Sequence, residues 1–245
     1  MKKVLLKMGF INILMVMMIT SACASSAGYY RVWQGFKKPD LSQEEFLKEL
    51  PQFMHDTVEL YQGRALNQYL VAIPPKDKAD FIPDEFALVA LTSEEAYKEI
   101  RQTPEGQKYS DRHWDVFNKE NSSSAKFHNF HAQGITSLEH NHAYDLFGTP
   151  LDWSRGHNMF YLGLRKDKVN KSDFLKRLKK HIELAKRNFE SLGLRGYIVI
   201  ANENYEVAYM NWESEAKMLE AMQSPFAQTV IADGAEFMEN AQYLE

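Results

Sequence analysis

Short apolar runs alternate with amphipathic stretches along this chain, and their order repeats once. Residues 29–38 read as a strand that ends at Pro39-Asp40. Ser42 and Glu45 have capping-box spacing and open a helix with Phe46, Leu50, Phe53, Met54 and Val58 on one side, Pro51 being a kink position. Strands follow over 66–73 and 86–91, separated by a Pro-rich loop. Ser93 caps a helix carrying Ala96, Tyr97 and Ile100, which breaks near Pro104; a second helical piece holds Tyr109, His113, Trp114 and Phe117. Residues 121–124 read as a loop and 126–131 as a fourth strand. The pattern then restarts. A strand over 158–166 leads to a helix capped by Asn170 or Ser172, with Phe174, Leu178, Ile182, Ala185 and Phe189 at helical spacing. A hairpin of 197–201 and 206–212 follows, then a helix capped by Ser214 and broken near Pro225, then a short strand at 241–244.

The two halves align without gaps over long stretches. Trp33-Gln-Gly-Phe-Lys-Lys lies over Tyr161-Leu-Gly-Leu-Arg-Lys, Phe46 over Phe174 and Tyr69 over Tyr197, all at an offset of 128. Past the hairpin the offset is 121, which pairs Ser93 with Ser214 and Pro104 with Pro225. Each half is a βαββαβ unit, the ferredoxin-like split arrangement. Its strands are apolar on both faces, so both faces must be covered. Two such units in one chain can cover each other sheet to sheet. The expected fold is therefore α+β: two tandem ferredoxin-like repeats packed as a fused barrel. The first spans 29–131, a connecting segment 132–156, and the second 157–245.

This arrangement resembles the dimeric α+β barrel superfamily, which includes antibiotic-biosynthesis-type and haem-degrading monooxygenases. The run Trp212-Glu213-Ser214-Glu215-Ala216 is similar to the Trp-x-Ser segment of the monooxygenase branch. The resemblance implies two activities: cofactor-free oxygenation of a flat aromatic substrate, or haem degradation. The haem-degrading relatives ligate iron with a helix histidine. Counted from the capping serine, the matching positions here are Ser110 and Ile231, with His113 about one turn further on. One fold hosts many functions, so the resemblance speaks for fold more than for reaction.

The N-terminus changes the expected address. Lys2, Lys3 and Lys7 precede a short apolar run at 8–19 and a cluster of small residues, the pattern of a signal peptide over residues 1–23. Cys23, the only cysteine, stands where a bacterial lipobox places one, with Thr20 where leucine is usual. Lipidation of Cys23 predicts an outer-membrane lipoprotein facing the periplasm; ordinary cleavage nearby predicts a soluble periplasmic protein. Beyond Cys23 there is no thiol for a disulfide, a thiolate metal site or a nucleophile. Without the three leader lysines, 26 basic residues face 33 acidic ones, a net charge of −7. That argues against a general nucleic-acid binder, which needs a basic footprint.

Two groups of residues are candidates for chemistry. Polar and large aromatic side chains on the strands could line a cavity in the barrel interior: Trp33, Tyr69, Tyr161, Tyr197, Tyr209, Asn211 and Trp212. Five of the eight histidines fall between 128 and 157, and His128-x-x-His131 and His140-x-His142 have spacings seen in metal ligation. A polar linker with ordinary hydrogen bonds explains the same histidines, so no cofactor is expected, with haem or a divalent metal as the alternatives. The capping serines and the Pro breaks are common to both halves and belong to the fold; positions that differ are those a site would use. Any site should therefore be asymmetric and lean toward the second half. The expected function is binding of a small, mostly apolar or aromatic ligand, or of a partner, by a monomer that is an internal pseudo-dimer. The alternative is a monooxygenase.

Overall fold

A computed structural model describes residues 26–130 and 135–244. The predicted leader, Cys23 and His131 lie outside the described residues. The first half runs β1 (Tyr29–Gly35), α1 (Gln43–Tyr61), β2 (Leu66–Ala72), β3 (Glu85–Leu91), α2 (Glu94–Gln102), α3 (Pro104–Val116) and β4 (Ser123–Asn129). A short strand β5 (His142–Asp145) follows. The second half runs β6 (His157–Arg165), α4 (Lys171–Glu190), β7 (Leu194–Ala201), β8 (Tyr205–Trp212), α5 (Glu215–Gln223), α6 (Pro225–Ala235) and β9 (Met238–Leu244).

Local chemistry sets most of these boundaries. Ser42 accepts from the Glu45 amide while Glu45 reaches back to the Ser42 amide, closing the capping box of α1. Ser93 and Ser214 cap α2 and α5 in the same way from their hydroxyls. Thr103 and Ser224 each end one helix and cap the next, with Pro104 and Pro225 at the first position of the new helix, where a missing N–H costs nothing. Asn170, not Ser172, caps α4. Pro51 sits inside α1 without ending it.

The nine strands form one mixed sheet in the order β2-β3-β1-β4-β5-β7-β8-β6-β9. Each half contributes the ferredoxin-like order, third strand beside first. The segment expected only to connect the halves contains β5, which pairs parallel with β4 and antiparallel with β7 and so joins the two halves edge to edge. Four residues, His-Ala-Tyr-Asp, are too few for a period-two signal. β4 begins at Ser123, inside the expected loop, because Ser123 and Ser124 pair with Gln34 and Trp33 of β1; pairing outweighs the polar sequence. β9 begins at Met238, earlier than its apolar pattern suggests, held by Arg165.

The sheet curls until its ends face each other. Phe86 of β3 lies 5.8 Å from Phe160 of β6 and 5.7 Å from Tyr205 of β8, ring to ring. Side chains from both halves interdigitate there in one buried cluster with Val32, Leu88, Ile198 and Val207. A polar seam crosses it: the Tyr205 hydroxyl donates to Gln34 Oε1 at 2.8 Å, and the Gln34 amide donates to Asn141. On the outer faces α1–α3 cover the first half and α4–α6 the second. Along β8 the parity is strict. Tyr205, Val207 and Tyr209 point between the sheet ends, whereas Ala208, Met210 and Trp212 point to the helices. Among the described residues no helix is long and apolar enough to cross a membrane.

Candidate functional site

Glu206 has the helix-facing parity of β8 and is wholly buried. Tyr197 of β7 donates its hydroxyl to Glu206 Oε1 at 3.3 Å, and Oε2 has no protein partner. Burial raises the Glu206 pKa, opposed by nearby His181 and by the Tyr197 hydrogen bond. The carboxyl lines a cavity of about 260 Å³ between the second-half sheet and α4, α5 and α6. Tyr161, Phe189 and Met210 give it an apolar wall, and Ile231, Ala235 and Glu239 stand at its exposed side. His181 of α4 also lines it, with Nδ1 2.8 Å from Asp233 Oδ2 on α6. That contact orients the ring, and Nε2 is the nitrogen Asp233 does not occupy. Among the described residues no Lys or Arg lines the cavity.

The first half carries the same carboxyl–phenol pair and closes the space around it. Glu85, aligned with Glu206, is wholly buried and accepts from Tyr69 Oη at 3.4 Å. Burial pushes Glu85 up to about 8, the Tyr69 hydrogen bond working against it. Over this pair lie Tyr109, stacked on Phe53, and His113, edge-on to it, with Phe117 beside them. Tyr109 bonds Thr57 at 2.6 Å, and burial pushes His113 down to about 4. The aligned second-half residues are Val230 for Tyr109, Gly234 for His113, Ala235 for Trp114, Met238 for Phe117, Ala185 for Thr57 and His181 for Phe53. All six line the cavity. The cavity opens chiefly where Val230, Gly234 and Ala235 stand in place of the rings of Tyr109, His113 and Trp114.

The sequence-predicted residues separate by parity. Tyr209 and Asn211 point between the sheet ends, where Tyr209 packs on Phe160 and Asn211 donates to Asn158 Oδ1 at 2.7 Å. Trp33, Tyr69, Tyr161, Tyr197 and Trp212 point to the helices instead. Trp33 packs on His113 and Phe117, and Trp212 on Phe189. Tyr161 and Tyr197 line the cavity. Sequence reading missed Glu206, His181 and Asp233. A glutamate at the same place in two apolar strands was the available signal.

Of the clustered histidines, His128, His140 and His142 lie around β4 and β5, and His157 opens β6. His128 and His142 stack at 4.9 Å with planes 28° apart, so their rings lie face to face rather than aiming at one point. Burial lowers the His128 pKa. His142 Nδ1 contacts the His140 carbonyl, and His140 Nδ1 accepts from the Glu203 amide. Among the described residues, the ligand-type atoms that gather within 4.8 Å are those of His55, Asp56 and Glu59 on the outer face of α1. A tetrapyrrole does not fit the second-half cavity, since about 260 Å³ falls below even the roughly 300–1,000 Å³ of drug-sized pockets. His113 is half-buried and packs against the rings of Trp33, Phe53, Tyr109 and Trp114.

The topology is that of a dimeric α+β barrel-like fold, with both units in one chain. Among solved structures, the chain is similar to a candidate monooxygenase from Fusobacterium nucleatum subsp. nucleatum: 12% identity, 87% of this chain and 88% of that one covered, TM-score 0.43. It is also similar to an anthrone oxidase-like protein (10%, 87% and 87%, 0.40). A third is a ferredoxin-fold protein from Listeria monocytogenes related to antibiotic biosynthesis monooxygenases (9%, 90% and 94%, 0.34). No protein-family model and no curated protein matches the chain.

Proposed function

We propose that this chain is a tandem duplication of one ferredoxin-like unit in which the second copy binds a small, mostly apolar or aromatic ligand. The observation that carries this reading is the cavity over Glu206, beside a closed counterpart over Glu85. A buried carboxyl with one oxygen unsatisfied costs roughly 1–3 kcal/mol unless a partner arrives. Glu206 lines the cavity, so a bound ligand lies against this residue. Its lining is apolar apart from Glu206, His181, Glu239 and the tyrosine hydroxyls, the usual make-up of a small-molecule site. The lack of a basic lining residue disfavours anionic ligands. Native mass spectrometry of protein purified from its own host tests the reading. A retained small molecule is expected, lost on Val230→Tyr, which installs the ring that the first half carries as Tyr109. Retention by that variant would contradict the assignment.

The alternative is a cofactor-free monooxygenase acting at the same cavity. The observation favouring it is the His181–Asp233 pair, a positioned base of the kind that converts a phenol or ketone into an oxygen-reactive anion. Oxygen consumption with an added anthrone, absent in His181→Phe, is its test. The address belongs to the same proposal: export directed by the leader, and attachment to the outer membrane through acylated Cys23. Cys23→Ser should move the protein from the membrane to the soluble fraction; unchanged fractionation would refute lipidation.

A further inference from the structure

We propose that the second-half cavity is an acid–base site that exchanges a carbon-bound proton of a small ketone, with His181 as the base, Asp233 as its positioning residue and Glu206 as the donor to the developing enolate oxygen. The inference rests on the ligand-binding reading above and adds a reaction to it.

Three observations converge. The first is placement: His181 and Glu206 line one cavity from opposite layers, helix and sheet, so a flat molecule between them meets both. The second is orientation. Asp233 Oδ2 holds His181 Nδ1 at 2.8 Å, and a Cβ built on Gly234 would lie 3.1 Å from Cε1 and 3.6 Å from Nε2 of that ring. Any side chain at Gly234 would press on that ring edge. The third is the contrast between halves. At the aligned positions the first half has Phe53, Arg112 and His113 for His181, Asp233 and Gly234, so base, partner and opening are replaced together. The carboxyl–phenol pair is retained in both. Both carboxyls are fully buried, and in the second half the carboxyl lines a cavity.

The groups facing Glu206 are Tyr197 from β7, Tyr161 from β6, His181 from α4 with Asp233 of α6 behind it, and Glu239 from β9 at the exposed side. None of these described residues is Lys or Arg, and burial raises the Glu206 pKa against the opposing His181 and Tyr197, which favours the neutral, donating form. A neutral carboxylic acid in an apolar cavity stabilises an enolate by hydrogen bonding as charge develops on oxygen. The step balances without an oxidant. The α C–H bond breaks, its proton goes to His181 Nε2, and its electron pair forms the enolate C=C while the carbonyl pair moves to oxygen. Return of a solvent-derived proton to carbon regenerates the ketone.

The probe is 2-tetralone, a flat aromatic ketone with acidic α protons. In D₂O its α-proton signals are followed by NMR with and without the full protein, and binding is read separately from the Met210, Met222 and Met238 methyl signals. Positioned acid–base groups supply about 100-fold acceleration or more, so at least that factor over an equal concentration of imidazole buffer is expected. His181→Phe, the residue present at the aligned first-half position, and Glu206→Leu should bind the probe and show no acceleration. Glu206→Gln, which keeps a donor, should recover part of it. Asp233→Asn should bind equally, react more slowly and change the pH dependence of the rate. Glu85→Gln, in the closed half, should leave the acceleration intact. Binding without acceleration by the wild type, or acceleration that survives His181→Phe, overturns the acid–base site while leaving the cavity as a binding site. No methyl shift with 2-tetralone overturns both.

Discussion

Replacing Glu85 by Gln tests whether a carboxyl without a cationic partner really sits neutral in the first-half core. In the folded chain burial pushes Glu85 from 4.5 up to about 8. Between these values the unfolded chain has lost the proton and the folded chain keeps it. The folded state then binds more protons, so stability falls as pH rises, by about 1.4 kcal/mol per pH unit. The contribution is absent below pH 4.5 and complete above pH 8. From pH 5 to pH 7 the wild type should therefore lose about 3 kcal/mol that Glu85→Gln does not. For a chain of this size that corresponds to roughly 6–12 °C in Tm. The amide keeps the acceptor for Tyr69 and adds an N–H pair without an acceptor, a cost of about 1–3 kcal/mol that does not vary with pH. The informative quantity is thus the difference in slope, not the offset. Glu206 is present in both proteins and cancels. Urea unfolding at pH 5, 6 and 7, with equal m-values as the check on two-state behaviour, measures it. Parallel stability curves would mean that Glu85 is ionised in the fold, and the account of both buried carboxyls would fail.

Other expectations follow from particular contacts. Tyr205→Phe leaves Gln34 Oε1 unsatisfied inside the seam between the halves and should cost about 1–3 kcal/mol in urea unfolding. Gly156 has φ +84°, and a Cβ there would stand 2.1 Å from the Trp212 carbonyl oxygen, so Gly156→Ala should destabilise by at least 1–3 kcal/mol or abolish folding. Ser214→Ala removes the cap of α5 and should cost about 1 kcal/mol, whereas Ser214→Asp should hold stability, read as Tm.

The parts of the fold that were legible are those governed by neighbours in sequence. Ser42 with Glu45, Ser93, Ser214 and the two Pro breaks announce helix boundaries through bonds three residues long. The strand at Tyr205–Trp212 is readable because apolar residues occupy both faces. β5 and the start of β4 were not readable, since they exist through pairing with β1 and β7. The candidate site was legible only in outline. Alignment of the halves pointed to the second one, and Tyr161 and Tyr197 do line its cavity. Their expected direction, toward the barrel interior, differs from the helix-facing direction they take, because parity depends on register and a one-residue change reverses it. His181 and Asp233 are 52 residues apart and meet only when α4 packs on α6. The opening itself is a difference in side-chain volume, Tyr109 against Val230 and His113 against Gly234, which becomes visible once the alignment is carried through the helices.

Methyl NMR of methionine-labelled protein addresses the central claim most directly. Met210, Met222 and Met238 border the second-half cavity, and Met54 is on α1, packed against the core of the closed half. Titration with a small aromatic ketone should shift the first three methyl signals, leave Met54 in place, and lose its effect in Val230→Tyr. Shifts confined to Met54, or the same shifts in the filled variant, would contradict the claim that the second half holds the site.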